Sequence, residues 1–175
     1  MAAMNLKIGD HVHYGAHGVC RVCGKEQKNL GSGNRDYFTL RPMGSDNILL
    51  YLPADAEPEK VKLRELLSRQ EALDLIDHAG NTPVQWINDS KLRRETFSKI
   101  LRSGEADQLI GMLKCIYLHQ EALPQGKQLP MSDQEMRQAA QRQLYSELAY
   151  ALSLEESQVQ PFILSRVQKE KQPAG

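Results

Sequence analysis

Hydrophobic and polar positions alternate with a period of about two residues at the start of the chain. Between residues 4 and 14 the apolar side chains share one parity, which is typical of a strand with one buried face. Short apolar runs follow at 19–23, 37–40 and 48–52, and Leu30–Asn34 between them is rich in glycine and asparagine, which favours a hairpin turn. Short strands with tight turns predict a small β-barrel. The alternating positions of the first strand are Leu6, Ile8, Val12 and Tyr14.

After Pro53 the hydrophobic positions follow the period of an α-helix. Three stretches, beginning at Ser68, Ser132 and Ser153, have the spacing of a capping box at a helix start. Loops are expected at 103–104 and 124–130, where glycine and proline interrupt the pattern. About five helices are predicted. The apolar stripes that indicate their buried faces are Leu109, Met112, Leu113 and Ile116, then Met136, Ala140, Leu144 and Leu148.

The change of period predicts an α+β chain with two domains. We expect a β-domain over residues 1–56, a helical domain over 57–170 and a disordered tail over 171–175, because the last residues are polar. The β-domain has few residues for a core, so we expect it to depend on a neighbour for stability.

Composition limits the class of function. The chain has 175 residues with 22 basic and 22 acidic side chains, and zero net charge argues against a protein that coats nucleic acid by bulk charge. No run approaches the ~18 apolar residues of a membrane helix, and the N-terminus shows no secretion signal. Three cysteines argue against a disulfide framework. We therefore expect a cytoplasmic protein.

The lone tryptophan, Trp86, precedes a locally basic helix. Asn88-Asp89-Ser90 is typical of a helix N-cap, and the predicted helix over 91–102 carries five cations against one acid. At ~100° per residue, Lys91, Arg94 and Arg102 share one stripe, with Phe97 and Ile100 roughly opposite. Cations can meet phosphates while an aromatic ring contacts a groove or base step. Packing of Trp86 in the core and simple solvation of the basic face explain the same pattern, so both interpretations stay open.

Residues 5–18 have the pattern K-x-G-D-x-V-x-Y followed by H-G, and this opening resembles that of the CarD/CdnL regulators of bacterial transcription. The resemblance continues through 36–40, 50–54, Trp86, 100–105 and 147–149, and so covers about residues 4–165. Transcription-repair coupling factors carry a module related to the opening motif. Here no helicase motor accompanies it.

The resemblance implies a Tudor/SH3-like N-terminal β-barrel that binds the β subunit of RNA polymerase. Family contacts to the polymerase align with Lys28 and Leu30. A third contact, usually arginine, aligns with Tyr51, which is a departure from the family pattern. An unpaired strand edge in this domain can also accept a strand from the polymerase or from a second copy.

For the helical domain, the resemblance implies contact with promoter DNA at the upstream edge of the transcription bubble. Trp86 matches the tryptophan that wedges into the minor groove, and Lys91, Arg93 and Arg94 are the nearest match to the basic residues that touch the DNA backbone. The function implied is stabilisation of the open complex, largely independent of DNA sequence, without a cofactor or a metal and without catalysis.

Three other functions fit parts of the sequence less well. A metal site could use early histidines and cysteines, but Cys20 and Cys23 should point to opposite strand faces; redox chemistry by this pair lacks an activating helix terminus. An enzyme is disfavoured because the common phosphate-binding and nucleophile motifs are absent. A protein-only adaptor, with Trp86 in the core and no DNA contact, remains the alternative. The metal candidates are His11, His13, His17, Cys20 and Cys23.

Overall fold

The computed structural model describes residues 5–83 and 85–171. The chain divides into two compact units, Met1–Leu66 and Leu67–Gly175. The first contains an antiparallel sheet and the second contains helices, so the predicted α+β class, with a Tudor-like domain before a helical bundle, is confirmed. The elements are β1 (His11–Tyr14), β2 (Val19–Asn29), β3 (Asn34–Pro42), β4 (Leu50–Pro53), β5 (Leu63–Arg64), α1 (Arg69–Asn81), α2 (Ser90–Ser103), α3 (Ala106–Glu121), α4 (Met131–Leu152) and α5 (Glu156–Lys171).

The sheet has the order β4-β3-β2-β1-β5 with antiparallel neighbours. Within the described residues β4 and β5 lie at opposite ends of this order, so the sheet is open and does not close into a hydrogen-bonded barrel. Closure is the part of the barrel prediction that the structure does not bear out. β5 pairs with β1, so the β-unit extends past the predicted boundary after residue 56.

β2 and β3 form a hairpin that is longer than its neighbours. β1 pairs with β2 only at residues 19–21, and β4 pairs with β3 only at residues 37–40. The ladder between the two strands continues to the pair Asn29 and Asn34. The hairpin end over 27–36 therefore pairs only within itself, apart from one backbone hydrogen bond from Ala54 to Asp36. Gly31 and Gly33 in its turn both have positive φ, as the glycine-rich sequence predicts.

The core of the β-unit is small. Cys20 and Val22 on β2 pack with Leu40 on β3 and Leu52 on β4, and all four are buried. Cys23, which follows Val22, is exposed and sits at the shift in register between Val22 and Gly24. The side-chain alternation predicted for this strand thus holds up to the bulge.

The helical unit has a larger core. Leu109 and Ile116 of α3 are fully buried with Leu144 and Leu148 of α4, as the apolar stripes predict. The N-cap of α2 is Asp89, whose carboxylate accepts hydrogen bonds from the amides of residues 91 and 92, and its C-cap is Gly104 with φ 68°. Both ends agree with the sequence pattern.

Of the three predicted capping boxes, only that at Ser68 is confirmed. α4 begins after Pro130, so Ser132 lies inside the helix. Ser153 ends α4 in the left-handed conformation, and Glu155 instead donates its amide to Gln158 ahead of α5.

The predicted tail over 171–175 lies outside the described residues, except for Lys171. Among the described helices, none combines the length and apolar character that a membrane-spanning segment needs.

Candidate functional site

Trp86 lies just before α2, half-buried against the helical core. Its indole stacks on the His119 ring from α3, with centroids 3.7 Å apart and an interplanar angle of 1°. Phe97 of α2 contacts it edge-on, with centroids 6.2 Å apart. The ring is therefore held by the fold, and part of its surface reaches solvent. This arrangement combines features of both interpretations of Trp86, a core residue and an accessible aromatic.

Arg93 is buried beside Trp86. Its side chain is 7% exposed and forms a two-pronged ion pair with Asp133 of α4, with N–O distances of 3.0 and 2.9 Å. The guanidinium carbon lies 4.5 Å from the centroid of the Trp86 ring. Of the three basic residues predicted to touch DNA, Arg93 is thus the one that the structure turns inward.

The other cations of α2 share an outer surface, which we call the basic surface: Lys91, Arg94, Lys99 and Arg102. All four are exposed and line one shallow depression with Glu95 and Ser98. Phe97 on the opposite side is buried, as the helical period predicts. A surface with four cations and one acid attracts phosphate without reading bases.

Lys28 and Tyr51, both predicted to contact a polymerase, touch each other. The Lys28 ammonium donates a hydrogen bond of 2.6 Å to the Tyr51 hydroxyl and lies 4.1 Å from the ring centroid. This hydrogen bond, aided by the Glu26 carboxylate 3.3 Å away, raises the pKa of Lys28. Tyr37 packs edge-on against Tyr51, with centroids 6.3 Å apart. Tyr51, which stands where the family usually has arginine, thus holds the positive charge of Lys28 beside it.

Leu30 lies in the turn of the β2–β3 hairpin, two residues after Lys28, and is 55% exposed. An apolar side chain at a loop tip gains from burial only when a partner covers it. The structure therefore brings the three predicted polymerase contacts to one end of the β-unit. Whether they bind a polymerase stays a prediction.

The early histidines and cysteines do not form a cluster. In the described part of the chain, no group of three or more His, Cys, Asp or Glu side chains could hold a metal ion. Cys20 is buried and Cys23 is exposed. Burial raises the pKa of the Cys20 thiol to about 12, which disfavours the reactive thiolate.

Two residues around Trp86, His119 and Asp133, were not predicted from the sequence. His119 reads as an ordinary polar position near the end of a helix, and Asp133 reads as part of a capping box. Asp133 lies 40 residues from Arg93 along the chain, and no local spacing signals such a contact.

The comparison with known families applies to the β-unit. Residues 6–66 match the family described as the CarD-like/TRCF RID domain. This segment belongs to that family. The match ends before Trp86, so it carries no information about the helical unit.

Curated proteins that are similar to a longer part of the chain are transcription-repair-coupling factors. The transcription-repair-coupling factor of Staphylococcus epidermidis is 28% identical over 112 residues, which is 63% of this chain and 8% of the relative. The same protein of Staphylococcus haemolyticus gives the same values. The chain thus spans less than a tenth of the length of these relatives.

Proposed function

We propose that this chain is a transcription regulator that binds the β subunit of RNA polymerase through its RID domain and stabilises the promoter open complex through its helical unit. The observation that carries the first half is the family match over residues 6–66, together with relatives named for coupling transcription to repair. The second half rests on the position of Trp86 just before α2, the helix that carries the basic surface, and on the resemblance of its segment to CarD regulators.

The proposed mechanism is an equilibrium clamp. A ligand shifts an equilibrium only by its differential affinity for the two states. A distorted or opened base step accepts an indole better than an intact stack does, because unstacking costs a few kcal/mol and stacking on a base returns ~1–3 kcal/mol. Trp86 needs only to slow reclosing, while the polymerase does the melting.

The packing of Trp86 shapes how it would meet DNA. His119 already covers part of the indole in a parallel stack, so the remaining exposed surface would contact the base step. A ring that is already held loses little conformational freedom on binding, and this lowers the entropic cost. Lys91 and Arg94 would contact phosphates nearby. Attachment to the polymerase raises the effective concentration, so that weak DNA affinity is enough for a protein of zero net charge.

The lifetime of the open complex tests the proposal. On a weak promoter, with polymerase from the same organism, the wild-type chain should lengthen this lifetime and Trp86→Ala should not. Tyr150→Ala is the matched control, because it removes another partly exposed aromatic ring of the helical unit. If the wild-type chain binds polymerase but leaves the lifetime unchanged, the clamp is wrong.

The RID half is tested by polymerase binding. Leu30→Ala and Lys28→Glu should weaken binding to the isolated β subunit, since they remove an exposed apolar contact and invert a charge at the hairpin end. Ile8→Ala is the control, an exposed apolar residue of the same domain away from the hairpin turn. Equal losses in all three variants would contradict a contact centred on the hairpin.

A protein-only adaptor is the second candidate, and one observation favours it: Trp86 packs against the helical core, as an ordinary structural residue would. The two candidates differ in salt dependence. In the proposed function, Lys91→Ala and Arg94→Ala each reduce the slope of binding to fork DNA against salt by ~1. Lys127→Ala, in an exposed loop, should not change it. Wild-type binding that is absent or insensitive to salt would favour the adaptor.

A further inference from the structure

Arg93 occupies the centre of the contacts around Trp86. Its Nε and Nη2 donate to the two carboxylate oxygens of Asp133, at 3.0 and 2.9 Å. Its Nη1 donates to the backbone carbonyls of Ile87 at 2.7 Å and Asn88 at 3.4 Å. All three nitrogens of the guanidinium are thereby engaged. The side chain has little capacity left for a phosphate.

These bonds connect three parts of the helical unit. Arg93 belongs to α2 and Asp133 to the first turn of α4, while Ile87 and Asn88 form the segment that follows Trp86. The planar fork of arginine suits this task, since it can bind a carboxylate and a carbonyl in fixed directions at once. The segment that carries Trp86 is therefore fixed to two helices through one side chain.

We propose that Arg93 and Asp133 position Trp86 for DNA, with neither side chain contacting DNA itself. The pair holds residues 87 and 88, and this holds the indole on His119 with a constant part of its surface exposed. The inference rests on the proposed function, because it takes Trp86 as the residue that meets the base step. It assigns Arg93 a role different from the phosphate contact that the family resemblance implies.

A substitution at Asp133 distinguishes a positioning role of the pair from an electrostatic role. Asp133→Asn removes a negative charge from the helical unit, so an electrostatic role of this region predicts DNA binding that is equal or stronger. Positioning predicts the opposite, because the amide cannot hold the guanidinium fork as a carboxylate does. Glu95→Gln is the matched control: it removes a negative charge among the exposed cations of α2 and leaves the pair intact.

Fluorescence of the full chain reads the position of the indole directly. Trp86 is the only tryptophan, so emission wavelength and quenching by acrylamide report this side chain alone. Asp133→Asn should shift the emission to longer wavelength and increase quenching, since the indole leaves the His119 stack. Glu95→Gln should keep the wild-type spectrum.

A second variant guards against simple unfolding. In Arg93→Met/Asp133→Leu an apolar pair replaces the buried ions, an exchange that often preserves or increases stability. Far-UV circular dichroism and the Tm establish that it is folded. It lacks the bonds to Ile87 and Asn88, so its Trp86 emission should shift as in Asp133→Asn, and its open-complex lifetime should fall towards that of Trp86→Ala.

The outcomes distinguish this inference from the proposed function. Folded variants with wild-type emission and quenching would overturn the positioning role, whatever happens on DNA. Shifted emission with a wild-type open-complex lifetime would also overturn it, provided that Trp86→Ala shortens the lifetime. If Trp86→Ala has no effect on the lifetime, the proposed function itself fails, and the positioning of Trp86 for DNA fails with it.

Discussion

His13 shows what burial does to one titratable side chain. Its ring is 1% exposed in β1, and neither ring nitrogen has a hydrogen-bond partner among the described residues. Burial, with a smaller contribution from Arg64, lowers the pKa of His13 from 6.5 to about 3. The folded β-unit therefore favours the neutral form of the His13 ring.

This lowered pKa predicts acid sensitivity. Well above pH 6.5 His13 is neutral in both the folded and the unfolded state. Below pH 6.5 His13 becomes protonated in the unfolded state but stays neutral in the folded state. The free energy of unfolding therefore falls as the pH drops towards 3. Between pH 7 and pH 5 the free energy of unfolding of the β-unit should fall by about 2 kcal/mol. Hydrogen exchange of the sheet amides measures this.

His13→Leu should remove much of that pH dependence, because leucine has no group that binds a proton in either state. His17→Asn is the control, since this ring is exposed. An equal slope in wild type and His13→Leu would mean that another group causes the acid sensitivity.

At the scale of elements, the helix starts show where local pattern suffices. The Ser68 hydroxyl accepts a hydrogen bond from the Glu71 amide at 3.1 Å, and the Glu71 carboxylate accepts one from the Ser68 amide at 2.8 Å. Ser68→Ala should therefore lower the free energy of unfolding by ~1 kcal/mol. Ser132→Ala, inside α4, should change it by less than ~0.5 kcal/mol. Thermal or urea unfolding of the helical unit tests both, and equal effects would contradict the assigned helix starts.

The same two serines show the limit of that pattern. Both begin an identical motif of serine with glutamate three residues later. After Ser132, the Asp133 carboxylate forms the ion pair with Arg93. α4 begins at Met131, one residue before the motif. Strand order and the failure of the sheet to close were likewise beyond the sequence, because both depend on pairings between distant residues.

The end of the β2–β3 hairpin, residues 27–36, lies outside the ladders that β2 forms with β1 and β3 forms with β4. An isolated two-stranded hairpin is marginally stable in water. Residues 27–36 pair with each other and are held to the rest of the sheet mainly by side-chain contacts, Lys28 with Tyr51 and Arg35 with Asp55. Amides at Gln27 and Asn29 should therefore exchange with solvent much faster than those at Cys20 and Val22. Polymerase binding through this end should slow their exchange. Uniform protection along β2 would show that the hairpin end is as stable as the core.

At the scale of the whole molecule, the environment of Trp86 lies inside one unit. Phe97, Arg93, His119 and Asp133 all belong to residues 67–175. A chain of residues 67–175 should therefore fold cooperatively and give the same Trp86 emission as the full chain. Circular dichroism and fluorescence check this. A different emission would mean that residues 1–66 contribute to the tryptophan environment.

Much of this architecture could be predicted, and the site only partly. The alternating and helical periods gave the order of the two units, and the exposed cations of α2 followed from helix geometry. Helix geometry puts Arg93 on the side of Phe97 and Ile100, four and seven residues later, but it gives no reason to expect a buried cation there, because a charged residue on a basic helix is normally solvated. Its burial depends on a carboxylate 40 residues away.

The pair of Arg93 and Asp133 also constrains how the sequence can change over generations. Loss of either partner leaves an uncompensated buried charge, at a cost of ~3–5 kcal/mol, comparable to the whole stability margin of many domains. Single substitutions at either position would be removed by selection unless the other changed too. Among descendants of this chain the two positions should therefore covary, while Lys91 and Arg94 on the surface drift independently.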